Sequence, residues 1–290
     1  MRDIKFFVDS CNPADTQQAI KILGVVSGQT TNPTLLTKTP EIQKYLSQGK
    51  RIKGTELLRL YKEAIRNIGL YVDGAISVEV YADWNTSANE MLAQAHSMQE
   101  WGNNIYVKFP TIPEGLKAAD EFTQSGGHAN MTLVFDQSQA AAVYSATRQT
   151  QGTAFVSPFV GRWDDRGFYG LDLVQNIKKT YDAFDLQTHS SSCHVEILAA
   201  SIRSLDHVHG SIALGADIIT APISMLQAWV DAGSNKSPPI PAKSANARHL
   251  EYQTLTYNED FATYSIDKSE DGLLSQGLTQ FVLDWKSVVE

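Results

Sequence analysis

Cysteine is scarce in this chain of 290 residues: it has 2, Cys11 and Cys193, in no metal-ligand or disulfide spacing. That argues against a disulfide-stapled scaffold and fits a reducing compartment. No run approaches the ~20 apolar residues needed to span a bilayer. Met1-Arg2-Asp3-Ile4-Lys5 enters a short apolar run without the longer hydrophobic segment of a secretory signal, so a cytoplasmic protein with no membrane partner is expected. Basic residues are outnumbered, 24 Lys and Arg against 32 Asp and Glu, for a formal net charge of -8. An acidic surface argues against nucleic acid as a partner and leaves room for a local basic pocket. Short-period repeats and low-complexity tracts are absent too.

What is present is a recurrence of short β-rich runs. Eight are legible: 4–9, 24–31, 75–80, 105–109, 129–135, 154–160, 193–199 and 216–220. Helical segments lie between most of them. In 87–101, Met91, Ala95, Met98 and Trp101 share a stripe; 139–148 and 171–184 are further helices, and 40–68 holds two helices broken near 49–54. Strands alternating with helices imply an α/β fold with a parallel sheet. Eight strands with little internal alternation favour a closed (β/α)8 TIM barrel, with an open doubly wound sheet as the alternative. Ser237-Pro238-Pro239-Ile240-Pro241 cannot continue a helix. Residues 1–290 are therefore expected to form a single barrel domain, with 238–290 as an extension packed on it and ending in a helix over 277–289.

Lys108 sits in the apolar run Asn104-Ile105-Tyr106-Val107-Lys108-Phe109-Pro110. Burial in such a place favours a neutral amine, which can attack a carbonyl and form a Schiff base. The alternative is an edge lysine with its head in solvent. Other polar groups stand at the ends of the expected strands: Asp9, Asn32, Glu79, Asn130 with Thr132, Ser157 with Arg162, and Ser201 with Arg203. In a barrel these converge at the C-terminal mouth. The set suits aldol chemistry, with Lys108 as nucleophile, Asp9 moving a hydroxyl proton, Glu79 and Thr132 holding a relay water, and Asn32 and Asn130 orienting hydroxyls. Arg162, Ser201 and Arg203, before a helix starting near Ser204, suggest an anion site that fits a sugar phosphate, with another tetrahedral anion as the alternative. Each residue has a structural alternative: helix capping or a turn for Asp9 and Asn32, an ion pair for Glu79, backbone satisfaction for Asn130, Thr132 and Ser157. Arg162 stands near Asp164, Asp165 and Arg166, which suits a surface ion-pair cluster, and Ser201 and Arg203 suit capping and surface charge.

The ordered segments Phe7-Val8-Asp9-Ser10, Thr30-Thr31-Asn32-Pro33-Thr34-Leu35, Ser77-Val78-Glu79-Val80, Tyr106-Val107-Lys108-Phe109-Pro110, Asn130-Met131-Thr132-Leu133-Val134-Phe135, Ser157-Pro158-Phe159-Val160-Gly161-Arg162 and Ala200-Ser201-Ile202-Arg203 resemble those of transaldolases of the pentose phosphate pathway. The resemblance spans roughly residues 4 to 230. It implies a cytoplasmic barrel enzyme, a transferase that forms a covalent dihydroxyacetone intermediate on Lys108. It assigns proton transfer to Asp9, water positioning to Glu79 and Thr132, substrate contacts to Asn32, Asn130 and Ser157, and phosphate contacts to Arg162, Ser201 and Arg203. The donor would be fructose 6-phosphate or sedoheptulose 7-phosphate, with no metal and no organic cofactor; a homo-oligomer is compatible with it.

Phe109 and Asp136 depart from the family pattern, which commonly has isoleucine and serine there, and bear on substrate preference. Glu79 resembles transaldolases more than the related fructose 6-phosphate aldolases. The competing functions are such an aldolase, a transaldolase for another anionic ketose, and an inactive sugar-phosphate sensor.

Overall fold

The computed structural model describes residues 4–191 and 193–290. Its strands are β1 (Lys5–Asp9), β2 (Gly28–Thr30), β3 (Ala75–Glu79), β4 (Ile105–Pro110), β5 (Ala129–Val134), β6 (Ala154–Pro158), β7 (Val195–Ala199) and β8 (Ile218–Ala221). Each pairs in parallel with its sequence neighbours, and β8 returns to β1, which closes the ring. This is the expected (β/α)8 barrel, and closure rules out the open sheet. β2 is shorter than the run 24–31 suggested. Gly24, at φ 78°, ends the preceding helix and donates to the Ile20 carbonyl at 2.8 Å, leaving Val25 exposed in the connection.

The helices are α1 (Pro13–Leu23), α2 (Pro33–Thr37), α3 (Pro40–Ser47), α4 (Gly54–Gly69), α5 (Ala88–Gln99), α6 (Pro113–Gln124), α7 (Gln137–Ala146), α8 (Val160–Asp164), α9 (Leu171–Thr188), α10 (Leu205–Ala213), α11 (Ile223–Asp231) and α12 (Leu273–Val288). Proline opens α1, α2, α3 and α6, where its missing N–H would have had no intrahelical partner. Ser87 and Glu90 form a reciprocal capping box at the start of α5. That helix buries Met91, Ala95 and Met98, the expected stripe. α4 buries Leu57, Tyr61, Ile65 and Ile68 at helical spacing. None of the described helices is long and apolar enough to cross a membrane.

The barrel interior is layered. Near the N-terminal ends of the strands, Phe7, Phe155, Leu198 and Ile218 pack together with Tyr106 beside them. The Tyr106 and Phe155 rings stack at 4.2 Å. Gly28 makes room for this floor, because a Cβ there would run into the Phe7 ring. Side chains alternate along a strand, so two residues further on the same inner faces carry Asp9, Thr30, Lys108, Ser157 and Thr220. An apolar plug at one end thus leaves a polar layer at the C-terminal mouth, where barrel enzymes carry their chemistry.

Beyond Pro241 the chain runs as an extended strap over the flank of the barrel. Tyr169 N–H donates to the Arg248 carbonyl at 2.8 Å, and Arg248 N–H to the Gly167 carbonyl at 2.9 Å. Asn176 donates to the Leu250 carbonyl, and the Gln137 amide exchanges two 2.8 Å bonds with the backbone of Gln253. α12 then crosses the mouth. It begins earlier than 277–289 suggested and buries Leu273, Leu274, Leu278 and Phe281. Leu278 and Phe281 line a small cavity with Pro33, Glu79 and Pro110. The Thr34 hydroxyl donates to the Asp284 carboxylate, joining α12 to α2.

Candidate active site

Strand register brings the central groups together. Glu79 on β3 and Asn130 on β5 stand opposite Lys108 on β4. Lys108 and Glu79 are 4% and 3% exposed, so both ionisable groups lie in the barrel rather than at its rim. Nζ of Lys108 is 2.8 Å from Glu79 Oε2 and donates to the Thr31 carbonyl at 3.2 Å. The lysine is therefore buried, as its apolar neighbours in sequence suggested, but its nitrogen faces two oxygen acceptors. The apolar residues Val107 and Phe109 alternate with it and face outward.

Asp9 lies across the mouth, half-buried, and makes no ion pair with Lys108 among the described residues. Its Oδ1 accepts the Thr30 hydroxyl at 2.7 Å, and Thr30 is 2.5 Å from the Thr220 hydroxyl. Burial pushes the Asp9 carboxyl above the ordinary range, against the opposing pull of Thr30 and the charge of Lys108. Burial raises Glu79 too; the adjacent Lys108 opposes the rise and the Asp9 charge adds to it. Two carboxyls of raised proton affinity thus flank one amine.

Asn130, Thr132 and Ser157 are fully buried or nearly so. Ser157 donates to Asn130 Oδ1 at 2.7 Å, and Asn130 Nδ2 donates to Ser77 Oγ at 3.0 Å. This chain fixes the Asn130 amide beside Lys108. Thr132 differs: its buried hydroxyl has no hydrogen-bond partner among the described residues, so it is free to serve a bound molecule. Asn32 caps α2, its Oδ1 accepting from Leu35 N–H at 2.9 Å, and is half-buried at the mouth.

The loops after β6 and β7 are laced together. Val160 and Gly161 donate to the carbonyls of Ala200 and Ser201, both at 3.1 Å. A Cβ on Gly161 would lie 2.5 Å from the Ser201 oxygen and 2.8 Å from Arg203 Nε, so only glycine permits this approach. Ser201 itself adopts φ 57°, a left-handed conformation. Arg162, Ser201 and Arg203 are thereby gathered on one rim. Arg162 makes no ion pair or hydrogen bond among the described residues, contrary to the surface-cluster alternative. Arg203 instead pairs with Asp165.

His207 lies beneath this rim, 7% exposed. Its Nδ1 accepts Arg203 N–H at 3.2 Å, which leaves Nε2–H to face Asp164 Oδ2. Burial opposes ionisation of Asp164, yet the bonds from His207 and Gly170 bring its carboxyl below the ordinary range. No group of three His, Cys, Asp or Glu side chains with metal-holding geometry occurs among the described residues.

Four participants escaped the sequence reading: Thr30, Ser77, Thr220 and Tyr61. Thr30, Ser77 and Thr220 share strand parity with other inner residues, and that signal could have found them. His207 escaped it as a partner of the anion rim, and Asp165, which stands near Arg162 in sequence, pairs with Arg203 instead.

Comparison with known proteins shows the family. The family model described as Transaldolase/Fructose-6-phosphate aldolase matches residues 6–290. A probable transaldolase of Ruegeria sp. (strain TM1040) is 37% identical over 228 residues, covering 79% of this chain and 89% of that protein. A probable transaldolase of Brucella ovis is 37% identical over 227 residues, covering 78% and 89%. Among solved structures, an IMP dehydrogenase/GMP reductase-like protein from Corynebacterium glutamicum superposes with a TM-score of 0.50 at 14% identity, covering 97% of this chain and 80% of that one, a likeness of fold alone. With a family model spanning nearly the whole chain and relatives above one-third identity, the chain belongs to the transaldolase/fructose-6-phosphate aldolase family.

Proposed function

We propose that the protein is a transaldolase that moves a dihydroxyacetone unit from a ketose phosphate to an aldose phosphate through a Schiff base on Lys108. The contact of Nζ with Glu79 at 2.8 Å carries this reading, because it sets a proton acceptor of raised affinity beside the nucleophile. Fructose 6-phosphate and sedoheptulose 7-phosphate are the donors that the family suggests, within the pentose phosphate pathway of the cytoplasm.

Lys108 gives one proton to Glu79, and its neutral amine attacks the donor ketone. A water held between Glu79 and the unpartnered Thr132 hydroxyl moves a second proton from the adduct nitrogen to its oxygen, and Glu79 returns the first to that hydroxyl, which leaves as water. The resulting iminium ion draws electrons from the adjacent carbon–carbon bond. Asp9 takes the proton of the hydroxyl on the departing fragment, which leaves as an aldehyde. The enamine left on Lys108 then attacks the acceptor aldehyde, Asp9 returns its proton, and hydrolysis frees the new ketose. Asn32, Asn130 and Ser157 orient the hydroxyls. Arg162, Ser201 and Arg203 hold the phosphate, with Arg203 exchanging Asp165 for the ligand.

Borohydride reduction in the presence of fructose 6-phosphate, followed by peptide mass analysis, tests the reading. A three-carbon adduct on Lys108 supports it, as does product formation that depends on an added aldose phosphate. Cleavage without an acceptor at the same rate would make the protein an aldolase instead. Full transfer activity in Lys108→Ala would refute the assigned nucleophile.

A further inference from the structure

We propose that Tyr61, on α4 outside the barrel, is a positioning residue for Lys108: its hydroxyl opens the β2–β3 ladder and releases the Thr31 carbonyl to the lysine. The inference rests on the Schiff-base reading of Lys108.

The ladder itself shows the substitution. β2 and β3 run in register with Thr30 opposite Ser77, and Thr31 N–H donates to the Ser77 carbonyl at 3.0 Å. In a parallel pair the next bond would run from Glu79 N–H to the Thr31 carbonyl. It does not form. Glu79 N–H donates to the Tyr61 hydroxyl at 3.0 Å, and the Thr31 carbonyl accepts Lys108 Nζ at 3.2 Å. The phenol thus takes the donor that would otherwise occupy the carbonyl that Lys108 uses.

Hydrogen-bond directions make the arrangement self-consistent. Thr31 Oγ1 donates to the Ser77 carbonyl at 2.7 Å, so its contact with Tyr61 at 2.5 Å must receive the phenol proton. The relay therefore runs from Glu79 N–H to Tyr61, to Thr31, to the Ser77 carbonyl. Burial holds the Tyr61 phenol well above its usual ionisation range, so it keeps the proton this relay requires. Packing alone does not explain the hydroxyl. The ring fills the α4 stripe and meets Trp101 edge-on at 5.3 Å, contacts that phenylalanine would keep. What phenylalanine would lose is the wedge, and Glu79 N–H would then return to the Thr31 carbonyl. That would draw the end of β3, and the Glu79 carboxylate with it, away from Nζ.

The test is Tyr61→Phe with fructose 6-phosphate, following both the rate and the end-point of the borohydride-trapped Lys108 adduct. The end-point counts folded, competent sites; the rate reports positioning. The expected result is a wild-type end-point, a KM within about twofold of wild type, and adduct formation about 10- to 100-fold slower, the scale of a small misplacement at a reacting centre. A rate within twofold of wild type would overturn the inference and leave a packing role only. Should Tyr61→Phe fail to fold, Thr31→Val keeps the carbonyl but removes the acceptor of the phenol proton. It is expected to slow the adduct in the same direction, and a wild-type rate there would equally overturn the proposal. Wild-type protein that forms no Lys108 adduct would instead refute the Schiff-base reading itself.

Discussion

Glu79→Gln tests the proton chemistry with the least disturbance. The amide has nearly the shape of the carboxylate and removes one charge and one acceptor, 2.8 Å from Lys108 Nζ. Asp9 cannot take over without moving, since its carboxylate is held by Thr30 at 2.7 Å and is not paired with Lys108 among the described residues. A positioned acid–base group contributes ~10²–10⁴ to a rate. At ~1.36 kcal/mol per decade, the barrier should rise by about 3–5 kcal/mol. KM should change little if other residues hold the donor at its hydroxyl and phosphate ends, as proposed. The assay is steady-state transfer at saturating donor and acceptor, with the rate of borohydride-trapped adduct measured in parallel. Both rates should fall together, because the lost step precedes the iminium ion. A kcat within threefold of wild type would refute the argument and place the acceptor of the lysine proton elsewhere.

Asp9→Asn should separate imine formation from bond cleavage: the trapped adduct is expected to keep the donor's whole carbon skeleton, and a three-carbon adduct at the wild-type rate would contradict this. The same variant tests linkage. Since Asp9 has its carboxyl raised in the folded state, the folded form binds more protons than the unfolded one above about pH 4, and stability is lost as pH rises through that window. The urea midpoint of Asp9→Asn should therefore fall less than that of wild type between pH ~4 and neutrality. Asp165→Asn frees Arg203 from a half-exposed ion pair; such pairs contribute ~0.2–1 kcal/mol, so KM for a phosphorylated donor should drop up to about fivefold while KM for unphosphorylated dihydroxyacetone stays unchanged. Leu278→Ala, on the buried face of α12 at a site 2% exposed, should destabilise the fold by about 2–5 kcal/mol in urea titrations.

Much of this architecture was legible because parallel barrel strands are buried on both faces and stand out as short apolar runs between amphipathic helices. The polar ends of those runs gave the residues of the mouth. Other features were hidden for identifiable reasons. Val25 and Val26 extended the second run on paper, but the left-handed turn at Gly24 places them in a connection. Tyr61 reads as an ordinary core residue, since Leu57, Ile65 and Ile68 share its stripe. Its meaning lies in a ladder bond that fails to form between two other segments, which no local pattern encodes. In sequence Asp165 stands three residues from Arg162, yet it pairs with Arg203. That pairing is fixed only once the loops after β6 and β7 are laced together.

Closure of the ring carries a consequence for how the protein is made. β1 pairs on one side with β2 and on the other with β8, whose residues are Ile218–Ala221. During translation at ~5–20 residues per second, the first strand leaves the ribosome on the order of 10–40 s before its last neighbour exists. Throughout that wait it presents bare amides and carbonyls that another chain could pair with. Nascent copies held near one another on a polysome share this open edge. Yield in the cell should accordingly depend on chaperone supply more than the stability of the finished ring would suggest.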